Sequence, residues 1–203
     1  MSRTRGREAE GQRALRRTAT PGAEPDDQGE GSGQPPRRAA NPDKLRKRIM
    51  ARALNILAAK ARSEGQLREQ LLAKAWAEPG LVDECILRLK ELGYVNDDLF
   101  AHSYATSRVG ARAIGRSRVA RELAGKKVAR KTIDEALDTV FEEVGEEALI
   151  DRAIQKRMRT HGRPADRGSA KRMFDHLARL GFEYDLIIRK LQALRAEMEG
   201  NDE

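Results

Sequence analysis

Beyond Leu45 the apolar residues recur with a period near 3.6, and nowhere do apolar and polar residues alternate as in a half-buried strand. Ile49, Ala53, Leu54, Leu57 and Ala58 form one stripe, and Leu67, Leu71 and Leu72 form the next. The pattern then comes back twice. Leu72, Leu123 and Leu177 each close an amphipathic helix, at steps of 51 and 54 residues. Ten residues beyond each, a further helix carries its apolar face: Val82, Ile86 and Leu89, then Ile133, Leu137 and Val140, then Ile187, Leu191 and Leu194. Self-similarity at this step marks an array of helical modules, each too small to bury its apolar face alone. The pattern predicts an all-α chain of nine helices, as a tandem array of three three-helix repeats that is elongated and curved. The repeats fall at 45–96, 97–144 and 145–196, followed by an acidic tail over 197–203.

Local signals set the expected helix ends. Ser63 has the side chain of an N-cap, with Glu64 favourable in the first turn. Pro79-Gly80 punctuates before the third helix, and Gly93 ends it in a positive-φ conformation. Asn96-Asp97-Asp98 opens the second repeat as a cap followed by acids. Gly110 and Gly115 bracket a loop, Gly125 ends the next helix, and Thr132 caps the one at Ile133. In the third repeat His161-Gly162-Arg163-Pro164 breaks the helix pattern, and Gly181 separates the last element. Tyr94 and Phe182 each follow a helix-ending glycine, where an apolar side chain folds back on the preceding turn.

Composition changes the picture at the start of the chain. Residues 1–44 hold almost no large apolar side chains, and Thr18 to Pro42 is rich in Pro, Gly, Asp, Glu and Gln. Such a segment cannot offset its ordering entropy by burial and is read as a disordered tail. Its arginines precede no apolar run, which excludes a secretory signal, and Glu8 and Glu10 argue against a transit peptide. No window approaches the ~20 apolar residues of a membrane span. The single cysteine, Cys85, lies on an apolar helical face and reads as a small buried hydrophobe. The expectation is a soluble, cytoplasmic protein, monomeric and without a membrane partner.

The net charge of +8 is unevenly placed. Between Arg108 and Lys131 stand nine bases (Arg108, Arg112, Arg116, Arg118, Arg121, Lys126, Lys127, Arg130 and Lys131) against Glu122 alone. Residues 132–151 hold eight acids and no base, and 152–179 swing back to nine bases against Asp166 and Asp175. Blocks of one sign point to a binding surface rather than to scattered solvation, for DNA phosphates or for an acidic protein face. Acidic and basic segments of neighbouring repeats can also pair with each other.

Catalytic chemistry finds no foothold. Gly29, Gly31 and Gly33 lie in the tail with no strand before them and no helix after, unlike a phosphate loop. Gly125-Lys126-Lys127 lacks both the leading glycine, where Ala120 stands, and the hydroxyl residue, where Lys127 stands. His102, His161 and His176 have no metal-ligand spacing and read as surface or packing residues. The chain is therefore read as a non-enzyme with no cofactor and no metal.

Several segments together are similar to a known family. Ala53 to Leu57, Arg62-Ser63-Glu64-Gly65-Gln66-Leu67-Arg68, and Leu89-Lys90-Glu91-Leu92-Gly93-Tyr94-Val95-Asn96-Asp97 through Phe100-Ala101 and Tyr104 resemble the RecX regulatory proteins of bacteria. Arg108, Gly115, Arg121-Glu122-Leu123 and Leu180-Gly181-Phe182 continue the match, which runs from about Ile49 to Leu194. The resemblance implies an array of three-helix repeats that binds the RecA recombinase filament along its groove. It also implies suppression of that recombinase's ATPase and strand exchange, and so modulation of recombination and DNA repair. Together with the charge pattern it makes the Arg108–Lys131 block the principal expected contact. Lys156, Arg157, Arg159, Lys171 and Arg172 make a second. The other reading of the same cations is a helical-repeat protein that binds single- or double-stranded DNA directly.

Overall fold

The computed structural model describes residues 41–199, with the side chains of Met198 and Glu199 excepted. The expected N-terminal tail lies outside them, apart from its last few residues. Among the described residues the fold is all-α, with nine helices and no strand: α1 (Pro42–Ala59), α2 (Glu64–Leu72), α3 (Pro79–Glu91), α4 (Asp97–Ala111), α5 (Arg116–Ala124), α6 (Arg130–Val144), α7 (Glu146–His161), α8 (Arg167–Leu180) and α9 (Tyr184–Glu199). Helix α1 starts three residues before Leu45 because Asn41 caps it, its side chain accepting from the Asp43 amide, and Pro42 supplies a first-turn φ. Helix α9 continues through Glu197 into the acidic stretch.

Most caps fall where the sequence puts them. Ser63 accepts the Gln66 amide at 3.2 Å, and Asn96 accepts the Leu99 amide at 2.8 Å. Two do not. Helix α6 begins at Arg130 behind an extended Ala129, and the Ile133 amide bonds the Ala129 carbonyl at 3.0 Å. Thr132 is therefore inside the first turn and caps nothing. Helix α4 runs through Gly110 to Ala111, so the loop begins only at Arg112. At the end of α5, Gly125 keeps a right-handed conformation, and Lys127 takes the positive φ of 62°.

The apolar stripes build two clusters. Ile49, Ala53, Leu67, Leu71, Val82, Ile86 and Leu89 pack α1 to α3 together, whereas one continuous cluster runs through α4 to α9. Leu71, not Leu72, is the inward leucine of α2: it is fully buried, while Leu72 is 39% exposed. Leu67 and Leu71 thus correspond to Val119 and Leu123 in α5, and to Met173 and Leu177 in α8. Phe182 is buried as expected. Tyr94 is not, at 59% exposed; the next residue, Val95, is buried instead.

The helix triplets join by a polar contact that is made twice. At the first junction the Glu64 amide donates to Asp97 Oδ1 at 2.7 Å, and the Ser63 hydroxyl donates to the Lys126 carbonyl. At the second the Arg116 amide donates to Glu146 Oε1 at 3.2 Å, and the Gly115 and Ser117 amides donate to the carbonyls of Leu180 and Gly181 at 2.9 and 3.1 Å. In both, a carboxylate from the first turn of the next triplet caps a free amide at the start of the preceding triplet's middle helix. The left-handed residue past the next middle helix (Lys127, then Gly181 at φ 92°) lies against that same helix start. Close approach demands glycine: a Cβ at Gly115 would overlap the Gly181 carbonyl and the Phe182 nitrogen.

Candidate partner-binding surface

The nine bases of the Arg108–Lys131 block are brought onto α4, α5, the start of α6 and the turns between them, but folding gives most of them acidic partners. Arg108 grips Glu122 through Nε at 2.6 Å and Nη2 at 2.7 Å, and the Tyr104 hydroxyl donates to the same carboxylate at 2.9 Å. Arg118 reaches Glu122 at 3.3 Å and also donates to the Arg179 carbonyl at 3.5 Å. The Arg108 hydrogen bonds hold the Glu122 carboxyl at about 2, against burial, which acts the other way; Tyr104 and Arg118 add to the lowering. Arg116 pairs with Asp138 at 2.8 Å, and Lys127 pairs with Glu69 of the first triplet at 2.7 Å. Arg130 and Lys131 pair along α6 with Asp134 at 2.8 Å and Glu135 at 3.7 Å. Lys126 sits 4.7 Å from the centroid of the Tyr104 ring.

Three members of the block keep no carboxylate partner among the described residues: Lys126, held over the Tyr104 ring, Arg112 and Arg121. Arg112 is exposed past the end of α4, and exposed Arg121 donates only to the Ser117 carbonyl at 3.3 Å. The acidic run of residues 132–151 therefore meets the basic block inside one molecule, through Asp134, Glu135, Asp138 and Glu146.

The third triplet is different. Lys156, Arg159, Lys171 and Arg172 are exposed, Arg157 is half-buried, and none forms an ion pair among the described residues. Sequence reasoning left out Arg163, which the α7–α8 elbow brings beside Arg157 and Arg172 around a cleft of about 210 Å³. The signal for it was present, since a Gly-Arg-Pro break between two basic helices turns its arginine in among theirs. Burial, and then the positive neighbours Arg157, Arg179 and His161, push His176 on α8 below the usual imidazole range.

No helix among the described residues is long and apolar enough to cross a membrane. Cys85 is buried on α3 beside Met50, and burial pushes its thiol up from the ordinary range. The build is that of a helical-repeat protein whose third triplet carries cations without ion pairs among the described residues. The chain belongs to the RecX family of regulatory proteins. It is 32% identical to regulatory protein RecX of Streptomyces coelicolor over 84% of this chain and 86% of that one. It is 30% identical to regulatory protein RecX of Thermobifida fusca over 86% of this chain and 96% of that one. Residues 96–137, from the α4 cap into α6, match the family model for the second three-helix domain of RecX. A solved RecX structure from Lactobacillus salivarius shares the fold with a TM-score of 0.68 at 19% identity, covering 76% of this chain and 99% of that chain.

Proposed function

We propose that this protein is a cytoplasmic regulator that binds the RecA recombinase filament and lowers its ATPase and strand-exchange activities. The observation that carries this reading is the identity with regulatory proteins RecX over most of both chains. The geometry supports it in one respect: three small triplets in tandem can engage several sites on a polymeric target, and linked weak contacts multiply in affinity. Within the middle triplet, Arg112 and Arg121 are the cations free to meet a partner, because Arg108, Arg116, Arg118, Lys127, Arg130 and Lys131 are engaged with this chain's own acids and Lys126 lies over the Tyr104 ring. In the third triplet Lys156, Arg157, Arg159, Lys171 and Arg172 remain available. The mechanism needs no chemistry: a bound array resists the filament rearrangements that accompany hydrolysis or the addition of subunits.

The test is single-stranded-DNA-dependent ATP hydrolysis by the cognate recombinase, with and without substoichiometric amounts of this protein. Hydrolysis and strand exchange should both fall. Unchanged rates would overturn the reading. Charge reversal at Arg112 and Arg121 should weaken the inhibition without unfolding the chain. Reversal at Arg118 would instead place two carboxylates beside each other. Direct DNA binding is the second reading, favoured by the uncompensated cations of α7 and α8.

A further inference from the structure

The turn between the first two helices of the third triplet holds a cationic cleft. Between the end of α7 and the start of α8, Arg157, Arg163, Arg172 and His161 line one open cleft of about 210 Å³, together with Ser169 and Met173. No carboxylate is among the lining residues. Asp166, just outside it, is held by the helix it caps: it accepts the Ser169 amide at 2.7 Å, and Ser169 bonds back to it, with Arg172 acting on it only at longer range; Arg163 also borders a neighbouring cleft that holds Asp151 and Glu197. The amide at the α8 start is thus already satisfied, and the site rests on its side chains. His161 is oriented rather than loose. The Thr160 hydroxyl, which donates to the Arg157 carbonyl at 3.0 Å, lies 2.6 Å from His161 Nδ1.

Like charges converging without an acid cost free energy, and the cost is recovered when an anion arrives. Guanidinium forks present paired donors that match the oxygens of a phosphate, and the cleft is the size for one such group rather than for a helix or a strand. Arg152, Lys156, Arg159, Arg167 and Lys171 are exposed elsewhere on the same two helices, again without ion pairs among the described residues.

We infer that the α7–α8 elbow is a phosphate-binding site that seats one backbone phosphate of a single-stranded DNA chain, with Arg157, Arg163 and Arg172 as its donors. The inference extends the function proposed above. It is tested on free DNA, without the recombinase, so that either reading can fail alone.

The experiment measures fluorescence anisotropy of a labelled oligo-dT strand titrated with the full chain across a range of salt. The triple variant R157A, R163A, R172A should bind at least ten-fold more weakly, with a log–log salt slope shallower by about 0.7, the loss of one single-strand phosphate contact. Its helical content and melting temperature should be unchanged. Removing three cations from the first triplet, K60A, R68A and R88A, should weaken binding no more than about two-fold. Equal losses in the two triple variants would overturn the site and leave only a general positive field. Undiminished binding by the α7–α8 variant would also overturn it. A third arm adds poly-glutamate as competitor: displacement at the same charge concentration as unlabelled oligo-dT would assign the cleft to an acidic polypeptide and overturn the inference.

Discussion

The middle and third triplets carry similar numbers of cations on similar scaffolds, yet folding spends them differently. Around α5, Glu122 alone engages Arg108 and Arg118, and the acids of α6 take Arg116, Arg130 and Lys131. Around the α7–α8 elbow, Arg157, Arg163 and Arg172 line one cleft that has no carboxylate among its lining residues. Charge along a chain is therefore a poor guide to charge on a surface. A basic block followed by an acidic block can cancel across one helix packing. A basic block interrupted by a Gly-Pro elbow folds its own cations together.

The firmest way to break this contrast is at the contact that holds the two regions in register. Gly115→Ala should cost about 3 kcal/mol, since a Cβ there meets backbone atoms of Gly181 and Phe182 that cannot give way. Urea denaturation would show it, and an unchanged midpoint would mean that α5 and α8 do not approach as described.

Next comes the internal pairing itself. Glu122→Gln should cost about 2 kcal/mol, because it takes the charge from a hydrogen-bonded group shared by Arg108, Arg118 and Tyr104. The same group sets an acid limb. Its folded value is lowered from 4.5 to about 2, so its contribution is complete above the ordinary carboxylate range and is lost as pH falls toward 2. Stability of the Gln variant should fall less than that of the parent between pH 5 and 2, as read by thermal melts. Parallel curves would sink the assignment.

The junction carboxylates carry the opposite sign. Burial raises both Asp97 and Glu146, although each accepts a backbone amide. In the ionised form each is disfavoured by folding, and lowering the pH through its raised value relieves that penalty. Asp97→Asn keeps an acceptor for the Glu64 amide while removing the buried charge, so its stability change should be within about 1 kcal/mol. A much larger loss would show that the charge itself holds the triplets together.

The smallest effects sharpen the contrast most directly. Arg130→Ala breaks an exposed i,i+4 pair and should cost a few tenths of a kcal/mol. Lys156→Ala and Arg159→Ala remove unpaired, exposed cations and should leave stability within about 0.5 kcal/mol. Chemical denaturation of the set would separate internal from outward-facing charge, and a large loss on α7 would show that its cations have partners after all.

Much of the helical layout was legible in the sequence because its signals are local. Period, caps at Ser63 and Asn96, and the positive-φ glycines Gly93 and Gly181 each depend on a few neighbouring residues. Errors arose where two local signals competed. Adjacent Leu71 and Leu72 both suit a stripe, and only packing against α1 and α3 selects Leu71. Thr132 is a good cap residue, but Ala129 lies one turn earlier at the true start. The site was legible only as a list of cations.

By itself the sequence determined that this chain is a tandem of small helical units and that its cations come in blocks, because amphipathic period and composition need no distant partner. Tertiary structure decided which carboxylate reaches which arginine, where the triplets touch, and that Arg157, Arg163 and Arg172 share one cleft. Those outcomes turn on distances of a few ångströms between residues far apart in the chain, and Coulomb and hydrogen-bond energies are set by such distances.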